Sequence, residues 1–183
     1  MGSLPDTIDF IKDKISIDSN IIIDFCETGY EKIISKVFRG RVYFSTLILK
    51  EIGRYDLSIF NYDGINIKRD EEIEYFNNLN YKYSNRLSEQ DIHLITICKF
   101  NGFHCASNEK EIRAICKKEG IKVLGTISIL IDAIKIKLID NSIAEKMLDH
   151  MKKSTMYLDE ALYAETIKNF NNCFIETQKD RSL

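Results

Sequence analysis

The sequence has no tryptophan, a single proline and eight glycines in 183 residues. With so few chain breakers, 44% hydrophobic and 30% charged residues, it has the balance of an ordered, helix-rich globular protein and not of a disordered one. Paired cysteines are missing too. Five Cys (Cys26, Cys98, Cys105, Cys116 and Cys173) make an odd number without a CxxC pair and fall in apolar stretches, which argues against a disulfide framework or zinc knuckle. Buried free thiols in a reducing compartment are expected. No apolar run is long enough to span a bilayer: the longest, Val123 to Ile131, is broken by Asp132. The leading segment carries Asp6, Asp9 and Asp13 around no long apolar core, unlike a signal peptide. A soluble cytoplasmic protein with no membrane contact is the expectation. A large positive field is also absent, since the net charge is −2 and the pI about 6.0. A nucleic-acid partner would then need a bound cation and local patches instead of bulk charge.

The length suits one α/β domain over residues 1–183, with a core at about 14–140 and a C-terminal helix pair at about 142–170. Leu4 to Lys14 reads as a leading helix. Ile15 to Ile17 reads as a strand running into Asp18-Ser19-Asn20, residue types that favour turns and helix N-caps. A helical stretch follows, then a second strand at Arg41 to Phe44 and a short helix at Leu47 to Ile52, which Ser45 or Thr46 is suited to cap. In the middle, Gly53 to Asp63 fits helix or loop, Ile65 to Ile67 a strand, and Asp70 to Leu79 an acidic helix. From Ser88 the alternation resumes: a helix ending before Asn101-Gly102, a strand at Phe103 to Ala106, a helix at Glu109 to Lys118, a strand at Ile121 to Leu124, and a helix at Thr126 to Lys137. Two helices, about Ser142 to Lys153 and Leu158 to Asn169, close the chain. This rhythm predicts a mostly parallel sheet with helices on both faces.

Ligands of open α/β sheets bind beyond the carboxyl ends of strands, which singles out Asp18, Ser107-Asn108-Glu109 and the Gly125-Thr126 turn. Glu51 and Asp91 lie on helices able to return to the same edge. Carboxylates clustered without matching Lys or Arg repel one another unless a hard cation such as Mg²⁺ or Mn²⁺ joins them.

The segments Ile15 to Ile23, Leu49 to Ile52, Leu87 to Asp91 and Ala106 to Arg113 resemble, in order, the acidic motifs of the PIN-domain family. Glu119 to Thr126 is similar to the G-I-x-V-x-G-T stretch of a VapC-like toxin branch, and the C-terminal helix pair resembles that branch as well. The resemblance spans about Ile15 to Phe170. It implies a three-layer sandwich and a metal-dependent endoribonuclease, with Asp18, Glu51 and Asp91 as metal-binding carboxylates, Asn20 supporting the first, and Ser107 as the small hydroxyl residue before the fourth acidic position. Asn108 departs from the pattern, since many relatives carry Asp there. An amide oxygen can ligate Mg²⁺ without bringing charge, so either Glu109 supplies the fourth carboxylate or a second cation binds weakly. Asp18 and Asp91 would hold the principal cation, and Glu51 with Asn108 or Glu109 a second ion or the attacking water. RNA is the implied substrate and an antitoxin protein the implied partner; a homodimer is left open.

Plainer roles stand beside these. Ser88 to Asp91 is also a capping box. Asp18 can serve only as a turn or N-cap residue, Glu51 as a solvated helix charge, and Ser107-Asn108 as a helix start. Asp24, about a turn after Asp18, is expected to face solvent or close a local pair. His93, His104 and His150 are spaced unlike a zinc site and suit core or surface positions. Tyr81 and Tyr83 are read in a polar loop, where bases could stack on them. Lys110, Arg113, Lys117 and Lys118 recur along one helix, and Arg39 and Arg41 flank a strand. They serve either as contacts to RNA phosphates or as solvated charges. An inactive PIN-fold module binding RNA or protein is the alternative function. A phosphatase or phospho-receiver fits less well, because Asp18-Ser19-Asn20 lacks the second Asp of a DxD loop and Leu124-Gly125-Thr126 lacks the receiver lysine.

Overall fold

A computed structural model describes residues 14–60, 64–154 and 158–179. The expected leading helix lies outside these residues except for Lys14. Strand β1 (Ile15–Ile17) is followed by helices α1 (Ser19–Glu27) and α2 (Glu31–Val37), then β2 (Val42–Ser45) and α3 (Thr46–Ile52). Next come β3 (Gly64–Ile65), α4 (Asp70–Tyr83) and α5 (Glu89–Asn101), and then β4 (His104–Ala106), α6 (Lys110–Lys118) and β5 (Val123–Leu124). Helices α7 (Thr126–Lys135), α8 (Asn141–Ser154) and α9 (Glu160–Lys179) complete the chain.

The five strands form one sheet in the order β3-β2-β1-β4-β5, and every pairing is parallel. All three residues of β1 are buried, as a central strand covered on both faces requires. Helix α5 packs across β1, β2 and β4. It is buried continuously from Ile92 to Cys98, so it lies inside the molecule instead of presenting one wet face. This is the α/β sandwich expected, with a wholly parallel sheet.

Two helices are longer than their sequence suggests. Helix α4 runs on to Tyr83 because Leu79 and Tyr83, four residues apart, both bury their side chains. Tyr81 and Tyr83 are therefore helical and not in a polar loop; Tyr81 is exposed and Tyr83 is in the core. Helix α9 continues well past Asn169. Phe170 is fully buried, and Cys173, Phe174 and Thr177 extend the packed face beyond it. Asp24 is buried in α1 and does not face solvent. The five cysteines are free, three buried and two half-buried.

Candidate active site at the end of the central strand

Asp18 is the first residue beyond β1, and its backbone remains tied to the sheet: its N–H donates to Ala106 O at 2.9 Å. Extended backbone at Asp18 makes it the N-cap of α1, where Oδ1 accepts from Asn20 N at 3.3 Å and Ser19 Oγ at 3.4 Å. The other oxygen, Oδ2, accepts from Ser107 Oγ at 2.8 Å. The cap role and the candidate catalytic role thus fall on one carboxyl group. Only 2% of Asp18 is exposed. Burial drives its pKa up to about 6 against the lowering pull of Ser107 and the Asn20 amide, and the negative charges of Asp91 and Glu109 push it up further.

Ser107, the first residue beyond β4, is buried and uses its hydroxyl twice, donating to Asp18 and accepting from Glu109 N at 3.1 Å. Arg113 reaches back one turn of α6 to donate from Nη1 to Ser107 O at 3.1 Å. Asn108 turns toward α7: its Oδ1 accepts from Thr126 N at 3.0 Å and its Nδ2 donates to Thr126 Oγ1 at 2.9 Å. Glu109 is exposed at the N-cap position of α6, where its side chain caps nothing.

Asp91 sits in the first turn of α5. It closes a capping box, with Oδ2 accepting from Ser88 N at 2.9 Å and its own N–H donating to Ser88 Oγ at 3.2 Å. Its charge nevertheless acts on Asp18. Asp91 and Glu109, far from Asp18 in sequence, are therefore both brought within electrostatic reach of it. Glu51 is exposed near the end of α3, and the side chain of Asn20 is exposed in α1. Lys110 and Lys117 are exposed on α6, while Arg113 is half-buried by its bond to the turn.

A second network beside this edge leaves no pattern in the sequence. His93 of α5 is buried between Ser45 and Asn66, with Nδ1 2.7 Å from Ser45 Oγ and Nε2 3.2 Å from Asn66 Oδ1. An amide oxygen only accepts, so Nε2 carries the proton and Nδ1 accepts from Ser45. Burial holds the His93 pKa down to about 4, in keeping with a neutral ring. The ring ties α5, which carries Asp91, to the N-cap of α3, which carries Glu51.

The oxygen-only donors Asp18, Asp91 and Glu109 suit a hard divalent cation, which would relieve the repulsion that adds to burial in raising the Asp18 pKa. The cage is not preassembled: among the described residues no three His, Cys, Asp or Glu side chains converge into a metal-binding group. The donor chemistry fits Mg²⁺ or Mn²⁺, and binding would have to draw the side chains together.

No curated protein and no solved structure matches the chain. A family model described as a PIN domain matches residues 14–172. With its buried acid at the end of the central parallel strand, the chain belongs to the PIN-domain family, whose fold is of the nuclease type.

Proposed function

We propose that the chain is a metal-dependent endoribonuclease and that the whole of it forms one such domain. The observation that carries this reading is the buried carboxyl of Asp18, held at the end of the central strand under the repulsion of Asp91 and Glu109. Mg²⁺ or Mn²⁺, when bound, supplies the Lewis acid that polarises a phosphodiester and acidifies water. The chain's own contribution is placement. Asp18 is fixed at both oxygens before any ligand arrives, by Ser107 on one side and the start of α1 on the other. Asp91 and Glu109 add the remaining negative charge, and Glu51 is assigned a role in orienting the attacking water. Lys110 and Lys117, exposed on the helix that begins beside Glu109, are suited to RNA phosphates, whose contacts weaken with salt.

By its likeness to the VapC-like branch we assign the protein to the toxins of toxin–antitoxin pairs, acting in the cytoplasm and restrained by an antitoxin, with a homodimer as a further state to test. None of the described helices is long and apolar enough to cross a membrane. The test is cleavage of RNA with Mg²⁺ or Mn²⁺ by the wild type and by Asp18→Ala/Asp91→Ala. Cleavage by the wild type alone is expected; equal inactivity across cation concentrations would end the catalytic reading.

A second reading, a PIN fold that binds RNA or protein without turnover, is favoured by one observation: the side chain at position 108 is an uncharged amide already bonded to Thr126. It predicts retention of RNA or a protein partner without cleavage.

A further inference from the structure

Helix α7 begins at an N-cap, Gly125, that has no side chain with which to cap it. The missing cap comes from another element. A main-chain N–H only donates, so the Asn108 atom 3.0 Å from Thr126 N is Oδ1, and Nδ2 must then donate to Thr126 Oγ1 at 2.9 Å. Asn108 thus satisfies the first amide of α7 and the hydroxyl of a fully buried threonine. A Cβ at Gly125 would lie 2.8 Å from Asn108 Oδ1 and 3.3 Å from Arg113 Nη1, so the glycine backbone lies close against that oxygen. Arg113 also holds this turn, through Ser107 O.

Resting on the cation-dependent reading above, we propose that Asn108 is a positioning residue that caps α7 and holds the β4–α6 turn, and that its amide is not among the cation's ligands. Both hydrogen-bonding ends of the amide are committed to Thr126, and the space beside its oxygen admits no side chain at position 125. Glu109, one residue on, has an exposed side chain that caps nothing and acts electrostatically on Asp18. The clamp has a local purpose: it fixes the turn from which Ser107 reaches Asp18.

Calorimetric titration with Mn²⁺ and thermal melts without added cation, on the full chain, test this with Asn108→Asp, Asn108→Ala and Glu109→Gln. An Asp at 108 can accept from both the amide and the hydroxyl of Thr126, so Asn108→Asp is expected to melt like the wild type. It should tighten Mn²⁺ binding by no more than about threefold, the share of a screened nearby charge. Glu109→Gln, which removes a charge that acts on Asp18, should weaken binding by about tenfold or more. Asn108→Ala should melt several degrees lower. Tightening of about tenfold or more by Asn108→Asp with no effect of Glu109→Gln would make position 108 the ligand and overturn the proposal. An unchanged melt for Asn108→Ala would overturn the clamp. If the wild type takes up no Mn²⁺ at millimolar concentration, the cation assignment fails together with the reading it rests on, while the clamp is still decided by the melts.

Discussion

Ser107 Oγ donates to Asp18 Oδ2 at 2.8 Å, joining residues 89 positions apart in sequence. The bond favours the ionised form of Asp18, yet burial outweighs it, and the carboxyl stays neutral up to a pH of about 6. Several measurable properties follow from that imbalance.

Removing the Asp18 charge is expected to stabilise the cation-free protein. The folded-state pKa is about 6 and the ordinary value 3.8, so between them the folded chain holds a proton that the unfolded chain has lost. The stability due to this group is therefore complete below 3.8 and declines as pH rises through about 6. Asp18→Asn keeps an acceptor at the N-cap. At pH 7 it should be the more stable protein by roughly 2–3 kcal/mol in chemical denaturation, and near pH 4 the two should agree. Equal stability at pH 7 would mean that Asp18 pays no burial cost.

His93 is expected to give the opposite slope. Its folded pKa is about 4 against an ordinary 6.5, so in this interval the unfolded chain binds the extra proton and stability is lost as pH falls. The two groups oppose each other over nearly the same window, which predicts a shallow profile for the wild type. Asp18→Asn should then become acid-sensitive between pH 6.5 and 4, while His93→Gln should gain stability over the same descent. Parallel profiles for all three proteins would contradict both assignments.

Gly125→Ala is expected to destabilise through contact and not through backbone strain, because φ at Gly125 is −124°. The added methyl would meet Asn108 Oδ1 at 2.8 Å. A cost of about 1–3 kcal/mol is predicted, with Tm falling about 2–4 °C per kcal/mol in a chain of this size. The effects of Gly125→Ala and Asn108→Ala should be less than additive, since the second change removes the atom that the first one strikes.

Phe170→Ala should cost about 3–5 kcal/mol, because the ring is fully buried on the face α9 turns inward. A destabilisation below about 1 kcal/mol by denaturant titration would show that this part of α9 is dispensable.

The alternation of strands and helices was legible because buried parallel strands and their flanking helices leave periodic traces. Ile15 to Ile17 and the capped start of α5 at Ser88 are examples. Boundaries set by packing were harder: the last helix reads to about Asn169, while Phe174 and Thr177 farther along still find partners. At the candidate site, Asp18 and Glu109 are legible as polar residues just beyond strands, and Asp91 as one at a helix start. Asp18 and Asp91 each read as a cap or as part of the site, and the structure shows the cap in both. The Asn108 bonds to Thr126 and the His93 bridge could not be read, since they join different elements across 18 to 48 residues and follow no period.

The strand order also sets a schedule for biosynthesis. β1 is made early, but its neighbours in the finished sheet are β2 and, much later, β4. Closing so long a loop precedes any contact that rewards it, which makes this pairing a slow step. Until Ser107 has been synthesised, Asp18 Oδ2 lacks the hydroxyl that holds it, and until Thr126 follows, the turn carrying that serine has no anchor on α7. A nascent chain that stalls or is cut before that point carries Asp18 without the elements that aim it, so the candidate site takes shape only once α7 has begun to form.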